Sequence, residues 1–166
     1  AGGQTDNMSI WLADWGPGKV YGWYPKGTTA GLQVKDWGPR ILETSTGRSV
    51  VYSEQWLWAF GLAVDDWRCA VRIPNVDLSL LIAGSGADLF DKLTQAVHCL
   101  PKGSSGRKAI YMNRTTRMMF DIQARNDVTS GGQLSYSEVG GKMMETFRGI
   151  PVNLEDQLTE AETRVT

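Results

Sequence analysis

Two cysteines, Cys69 and Cys99, and one histidine, His98, are all the sequence offers of the residues that most often build metal sites, disulfide frameworks and triads. A disulfide framework in a secreted domain needs more cysteines at denser spacing. Both thiols are therefore expected free and buried in a protein made in a reducing cytoplasm. His98 and Cys99 are neighbours on a predicted helix, so they point about 100° apart and cannot easily meet on one metal. A catalytic or metal-binding histidine also needs a positioned carboxylate or thiolate. His98 is read as structural, and no catalytic residue, metal or cofactor is expected.

Charge of one sign is also lacking: 17 Lys and Arg stand against 18 Asp and Glu. No basic block is present to neutralise many phosphates, which excludes tight or specific nucleic-acid binding and leaves at most non-specific contact. Near-neutral charge also imposes little repulsion between copies packed side by side. No apolar run of about 18 residues exists, so no membrane-spanning helix is expected. The first residues, AGGQTDN, lack a basic segment followed by an apolar one, so no signal peptide is visible. The absence of an initiator Met suggests a chain processed or excerpted from something longer. An apolar share of 42% and a charged share of 21% are those of a soluble globular protein. The length is sufficient for a core without metals or disulfides.

What is present is unevenly placed. All seven tryptophans precede residue 68, and five of the six methionines follow residue 110. This pattern predicts a β-rich region over 1–75 and a mixed α/β region over 76–166, with a boundary near residues 74 to 86. In the first, residues 8 to 14 and 20 to 24 read as aromatic-rich strands around the turn Gly16-Pro17-Gly18. Residues 31 to 37 alternate as a strand, and 49 to 60 and 62 to 73 are rich in β-branched and aromatic residues. Gly61 between the last two marks a bulge or bend.

In the second region, Pro74-Asn75 is expected to stop the strand, with Asn75 capping a short helix from Val76 to Ile82. Apolar residues at three- and four-residue spacing predict a helix from Ala87 to Leu100, ended by Pro101 and Gly103. Arg107 to Met112 reads as a buried strand. Asn113 then caps a helix to about Ala124, with Met118, Met119 and Ile122 inward. Short strands are expected at Leu134–Tyr136, Lys142–Phe147 and Ile150–Leu158.

The motifs that invite a chemical reading fail in detail. Gly84-Ser85-Gly86 lacks the third glycine of a dinucleotide fingerprint, and Asp88 would set a negative charge where a phosphate should lie. Gly103-Ser104-Ser105-Gly106-Arg107-Lys108 lacks the glycine spacing and Lys-Ser/Thr ending of a P-loop. Asp65 and Asp66, adjacent on a predicted strand, face opposite sides and cannot act as an acid/base pair. Alternate positions Asp66, Arg68, Ala70 and Arg72 would line one charged face, either solvated or docking a neighbouring subunit through Arg–carboxylate pairs. The methionines are expected mainly as core, and some tryptophans as interface anchors.

The stretch from Trp58 to Val76, WAFGLAVDDWRCAVRIPNV, resembles a segment of the major capsid proteins of tailed bacteriophages. The matching residues are Trp58, Gly61, Leu62, Val64, Asp66, Arg68, Arg72, Ile73 and Asn75. In the same order come Ala30 to Asp36, then Tyr111-Met112-Asn113-Arg114-Thr115, then Gly149-Ile150-Pro151-Val152 with an acidic Glu160–Glu162 tail. The resemblance covers nearly all of the chain and is to the C-terminal half of such proteins. Their N-terminal arm, extended loop and spine helix would lie upstream. Asn153 and Leu154 depart from the charged and cysteine residues usual after Gly-x-Pro-Val.

The resemblance implies the α+β capsid fold shared by tailed phages and herpesviruses, with a β-rich peripheral-domain part over 1–75 and an axial domain of helices around a small mixed sheet over 76–166. It implies identical capsid subunits as partners, in pentamers and hexamers of an icosahedral head. Decoration, scaffolding or portal proteins are further partners, and packaged DNA is met only non-specifically. A shell-binding tail or decoration protein is the alternative. Candidate subunit contacts are Trp58, Asp66, Trp67, Arg68, Arg72, Lys102 and Arg107. By analogy, the loops at 101 to 107 and 129 to 133 would point to the capsomer axis.

Overall fold

The structure, a computed structural model, describes residues 5–27, 31–102, 106–126, 134–139 and 142–165; of 125, 126, 134–139 and 142–144 it describes the backbone alone. It is mostly strands with some helices. The strands are β1 (Asn7–Trp15), β2 (Val20–Trp23), β3 (Leu32–Thr44), β4 (Gly47–Trp58), β5 (Gly61–Val64), β6 (Ala70–Asp77), β7 (Arg107–Met112), β8 (Leu134–Val139), β9 (Lys142–Phe147) and β10 (Ile150–Leu154). The helices are α1 (Leu78–Ile82), α2 (Leu89–Cys99) and α3 (Arg114–Asn126).

The chain forms two compact units, one of Ala1–Tyr21 with Val64–Thr166 and one of Gly22–Ala63. This division differs from a cut near residues 74 to 86, and the reason is strand pairing. β1 lies between β6 and β7, antiparallel to both, with Trp11 opposite Arg72 on one side and Tyr111 on the other. The N-terminal strand is thereby paired into one sheet with strands from residues 70–77 and 107–112. The tryptophan gradient follows chain order and not packing.

In the larger unit the sheet continues from β7 through β10, β9 and β8, with β10 parallel to β7. Alternation along β1 sends Met8, Ile10 and Leu12 to one face, where all three are buried. Ile110, Met112 and Val152 join them there, and α2 and α3 supply Leu89, Phe90, Leu93 and Phe120. Three rings close this core: Phe90 stacks on Phe120 at 4.4 Å between centroids, and Phe147 stands 5.9 Å from each. Both longer helices start as their sequences dictate. Asp88 accepts from the N–H groups of Phe90 and Asp91, and Asn113 accepts from Thr116 N–H at 2.7 Å, so orphan first-turn donors are satisfied.

Several expectations need correction here. Residues 62 to 73 are not one strand: β5 ends at Val64, and a 3-10 turn over Trp67–Cys69 precedes β6. Asp66 imposes that turn by accepting Arg68 N–H at 3.0 Å. Asp65 and Asp66 therefore precede the turn and do not lie on a strand. Nor does Pro74-Asn75 stop β6, which runs to Asp77; Asn75 takes a left-handed φ of 59°, a conformation Asn tolerates. Asp77 caps α1, which begins at Leu78. Met118 is exposed, because Thr116 and Phe120 define the inward stripe of α3 and a residue two places from each lies off it. Cys69 is buried but Cys99, at the end of α2, is exposed. The strand expected over 150 to 158 ends at Leu154.

The smaller unit is built on the antiparallel hairpin of β3 and β4, closed where Thr44 faces Gly47. The strand expected over 31 to 37 continues to Thr44 through a bulge between Asp36 and Pro39. Gly38 makes the bulge possible, with φ +67° and its N–H donated to Asp36 Oδ1 at 2.7 Å. These two strands form a sheet of their own.

Candidate assembly surfaces

The register of the hairpin fixes which side chains share a face. Leu32 faces Trp58, Val34 faces Trp56, Pro39 faces Tyr52 and Ile41 faces Val50. Directly opposed residues of an antiparallel pair lie on one side, and alternate residues of β4 keep to that side. One face of the ribbon is thus mainly apolar, with Glu43 and Arg48 at its turn end, and its members are exposed. The only carboxylates along its middle are Asp36 and Glu54, directly opposite one another.

The other face is mixed, with Leu42, Val51 and Leu57 among Gln33, Lys35, Arg40, Ser49 and Gln55. Lys35 pairs with Gln55 across the strands, and its Nζ sits 3.8 Å from the centre of the Trp37 ring. The guanidinium of Arg40 lies over the same ring at 4.2 Å, and Trp37 Nε1–H donates to Gln55 Oε1 at 3.3 Å. Trp37 is therefore engaged by two cations and an amide, whereas the apolar face has no such cover.

In the larger unit, the sheet face opposite the core carries Trp11, Trp15, Tyr111 and Arg107. Trp15 Nε1–H donates to the Tyr111 hydroxyl at 2.9 Å, and burial pushes the Tyr111 phenol above its usual range. An open groove runs along this face past Trp15, Lys108, Tyr111, Pro151 and Asn153. No carboxylate, imidazole or thiol lines it; its titratable side chains are those of Arg107, Lys108 and Tyr111. Among the described residues, no group of three His, Cys, Asp or Glu is placed to hold a metal ion.

Three of the charged candidates, Asp66, Arg68 and Arg72, are engaged within the chain. Arg68 forms a two-point pair with Asp66, at 3.0 Å and 2.9 Å, which holds the Asp66 carboxyl below its usual range. Arg72, on β6, donates to Ser9 Oγ at 2.9 Å and Glu162 Oε2 at 2.9 Å, and its guanidinium lies 5.3 Å from the Trp11 ring centre. Ser9 also donates to Glu162. Asp66, Arg68 and Arg72 accordingly do not form the common strand face expected of them: the 3-10 turn separates the first two from β6. Trp58 is exposed and stacks on Phe60 at 5.1 Å. Trp67 is 80% exposed, and Lys102 and Arg107 are also at the surface. Residues 103–105 and the whole 129 to 133 loop lie outside the described residues.

Sequence reasoning did not single out Val34, Ile41, Val50, Tyr52 and Trp56 as a surface. Alternating apolar residues read as half-buried, whereas both sides of this ribbon are largely exposed. A two-residue turn at 45–46 closing two long alternating strands was the available signal.

The comparisons with known proteins agree with this architecture. The chain is 29% identical to a chain in the near-atomic structure of bacteriophage Epsilon15 derived from cryo-EM and modelling, with a TM-score of 0.59. The likeness covers 98% of this chain and 49% of that one, so this chain spans about half the length of its structural relative. No curated protein matches. The sequence profile of one family, described as Major capsid protein GP7, matches residues 1–166, and the chain belongs to that family.

Proposed function

We propose that this chain is part of a structural subunit that self-assembles into the pentamers and hexamers of an icosahedral phage head enclosing the DNA genome. The observation that carries this reading is the end-to-end likeness to a capsid-protein family and to a phage structure over 98% of the chain. The surfaces support it: the apolar hairpin face needs a partner, and balanced charge permits close packing of copies. Its role is structural and not enzymatic, and its place is the virion capsid, assembled in the host cytoplasm.

Identical subunits are the main partners, with decoration, scaffolding or portal proteins as further ones and DNA as a non-specific neighbour. Trp58, Trp67, Lys102 and Arg107 are proposed as direct subunit contacts. Asp66–Arg68 and Arg72 would meet a neighbour as charges already paired. The peripheral-type role expected for 1–75 falls best to the hairpin unit, and the axial-type role of 76–166 to the larger unit, to which β1 belongs by pairing.

Electron microscopy of the full polypeptide expressed in a bacterial host tests the reading. Closed shells of uniform diameter are expected. Small closed rings or monomers at high concentration would overturn it in favour of a shell-binding tail or decoration protein.

A further inference from the structure

The apolar side of the β3–β4 hairpin is larger than chance exposure explains. Val34, Ile41, Val50, Tyr52, Trp56 and Trp58 are between 52% and 85% exposed with the chain folded. Six large apolar or aromatic side chains in one row, each more than half exposed, make the kind of surface patch that marks a contact with another protein. A two-stranded hairpin is at best marginal in water on its own, so a ribbon of this length gains its stability from whatever covers it. On the opposite side the Lys35–Trp37–Arg40 stack interrupts the apolar residues Leu42, Val51 and Leu57, so the more continuous apolar row is the one through Val34, Ile41, Val50, Tyr52, Trp56 and Trp58.

The centre of that side adds a chemical requirement. Asp36 and Glu54 stand directly opposite on it, both exposed. Like charges so placed destabilise a strand pair. Asp36 accepts the Gly38 N–H and Glu54 accepts Trp56 Nε1–H at 3.2 Å, but neither forms an ion pair with a described residue. The complementary surface is therefore apolar with a cation at its middle. A second copy of this chain offers exposed cations at Lys102, Arg107 and Arg148.

We propose that this side of the hairpin is a docking strip for a second copy of the same chain, which covers the apolar residues and sets a Lys or Arg between Asp36 and Glu54. The inference rests on the shell-subunit reading, and it names the surface, the partner and the charge that fixes register.

The test places a photo-reactive phenylalanine analogue at Tyr52 of the full polypeptide and mixes ¹⁴N- and ¹⁵N-labelled copies before illumination. Cross-linked peptides joining one isotope to the other are expected. The variant I41S/V50S should lose most of that yield, whereas Q33S/Q55S on the opposite side should retain it. Glu54→Lys should lower the yield and Glu54→Gln should leave more of it. Cross-links confined to one copy, cross-links to a different protein, or none would overturn the proposal. Shells that form without inter-copy cross-links at 52 would keep the shell reading and remove this strip. Inter-copy cross-links in small closed rings would do the reverse.

Discussion

The side chain of Asn75 and the backbone of Val165 form a two-way hydrogen-bonded pair: Asn75 Nδ2–H donates to the Val165 carbonyl at 2.8 Å, and Val165 N–H donates to Asn75 Oδ1 at 2.9 Å. A carboxamide thus does for the C-terminal segment what a strand backbone would do, and the left-handed φ of 59° presents it. Nearby, Glu162 pairs across the backbone with Asn7 and receives Arg72, so the tail is fixed at two points.

Asn75→Ala removes both bonds and puts a Cβ residue with no local hydrogen bond into left-handed backbone. A loss of about 1–3 kcal/mol is expected from comparable buried or strained positions. Asn75→Gly relieves the backbone and loses only the bonds, so it should fall between. Amide exchange of residues 162 to 165 distinguishes the outcomes: both variants should lose protection there while β1 stays protected. Unchanged exchange in Asn75→Ala would show that Glu162 alone holds the tail.

Phe120 is fully buried and touches Phe90 and Phe147, so its loss leaves a cavity shared by α2, α3 and β9. Phe120→Ala should cost about 3–5 kcal/mol, and Phe120→Leu distinctly less, because volume lost in a rigid core is only partly recovered. Urea titration followed by far-UV circular dichroism measures both. A cost under 1 kcal/mol for the alanine variant would mean that the three-ring core collapses freely.

The elements legible in the sequence were those governed by local rules. β1 follows from an aromatic-rich run beside a turn, β7 from a short apolar run and α2 from three- and four-residue spacing, and the start of α3 follows from Asn113 because its cap lies three residues from its donor. The rest depends on contacts that local patterns do not carry. Trp67-Arg68-Cys69 has strand-like composition, yet the Asp66 carboxylate turns it. Asn75 looks like a helix cap but serves a backbone 90 residues away. The unit boundary eluded composition because β1 pairs with strands from distant parts of the chain. Among the site candidates, Trp58 and Trp67 are exposed, as tryptophans at a contact surface would have to be. The pairing of the charges was not legible, since Arg72 finds Glu162 only through the folded tail.

Glu145 gives a pH dependence with a definite sign. It is buried on β9, where Arg117 Nε and Nη2 donate to Oε2 at 3.1 Å and 3.0 Å. Burial, then the neighbouring Asp121 carboxyl, raise its pKa above the ordinary 4.5, and Arg117 only partly offsets them. The folded state therefore binds this proton more tightly than the unfolded chain does. Its contribution to stability is fully present below pH 4.5 and is lost as pH rises through the raised folded value. Glu145→Gln keeps an acceptor for Arg117 and removes the titration, so the difference in stability between wild type and variant should change with pH in that window. Parallel stability curves from pH 4 to 8 would show that Glu145 titrates alike in both states.

The two cysteines separate by access. Cys69 is buried beside Asp66 and Asp14, and burial first, with those charges second, pushes its thiol above the usual range. Cys99 is exposed at the last turn of α2. The thiolate is the reacting species, so a protonated, inaccessible thiol is inert while an exposed one reacts. On unassembled native chain at neutral pH, an aromatic disulfide reagent should label one thiol per chain, and Cys99→Ser should abolish fast labelling. Cys69 should appear only in denaturant. Rapid labelling of two thiols in native chain would mean that the turn at Trp67–Cys69 opens readily, which would in turn undercut the Asp66–Arg68 pair as its clamp.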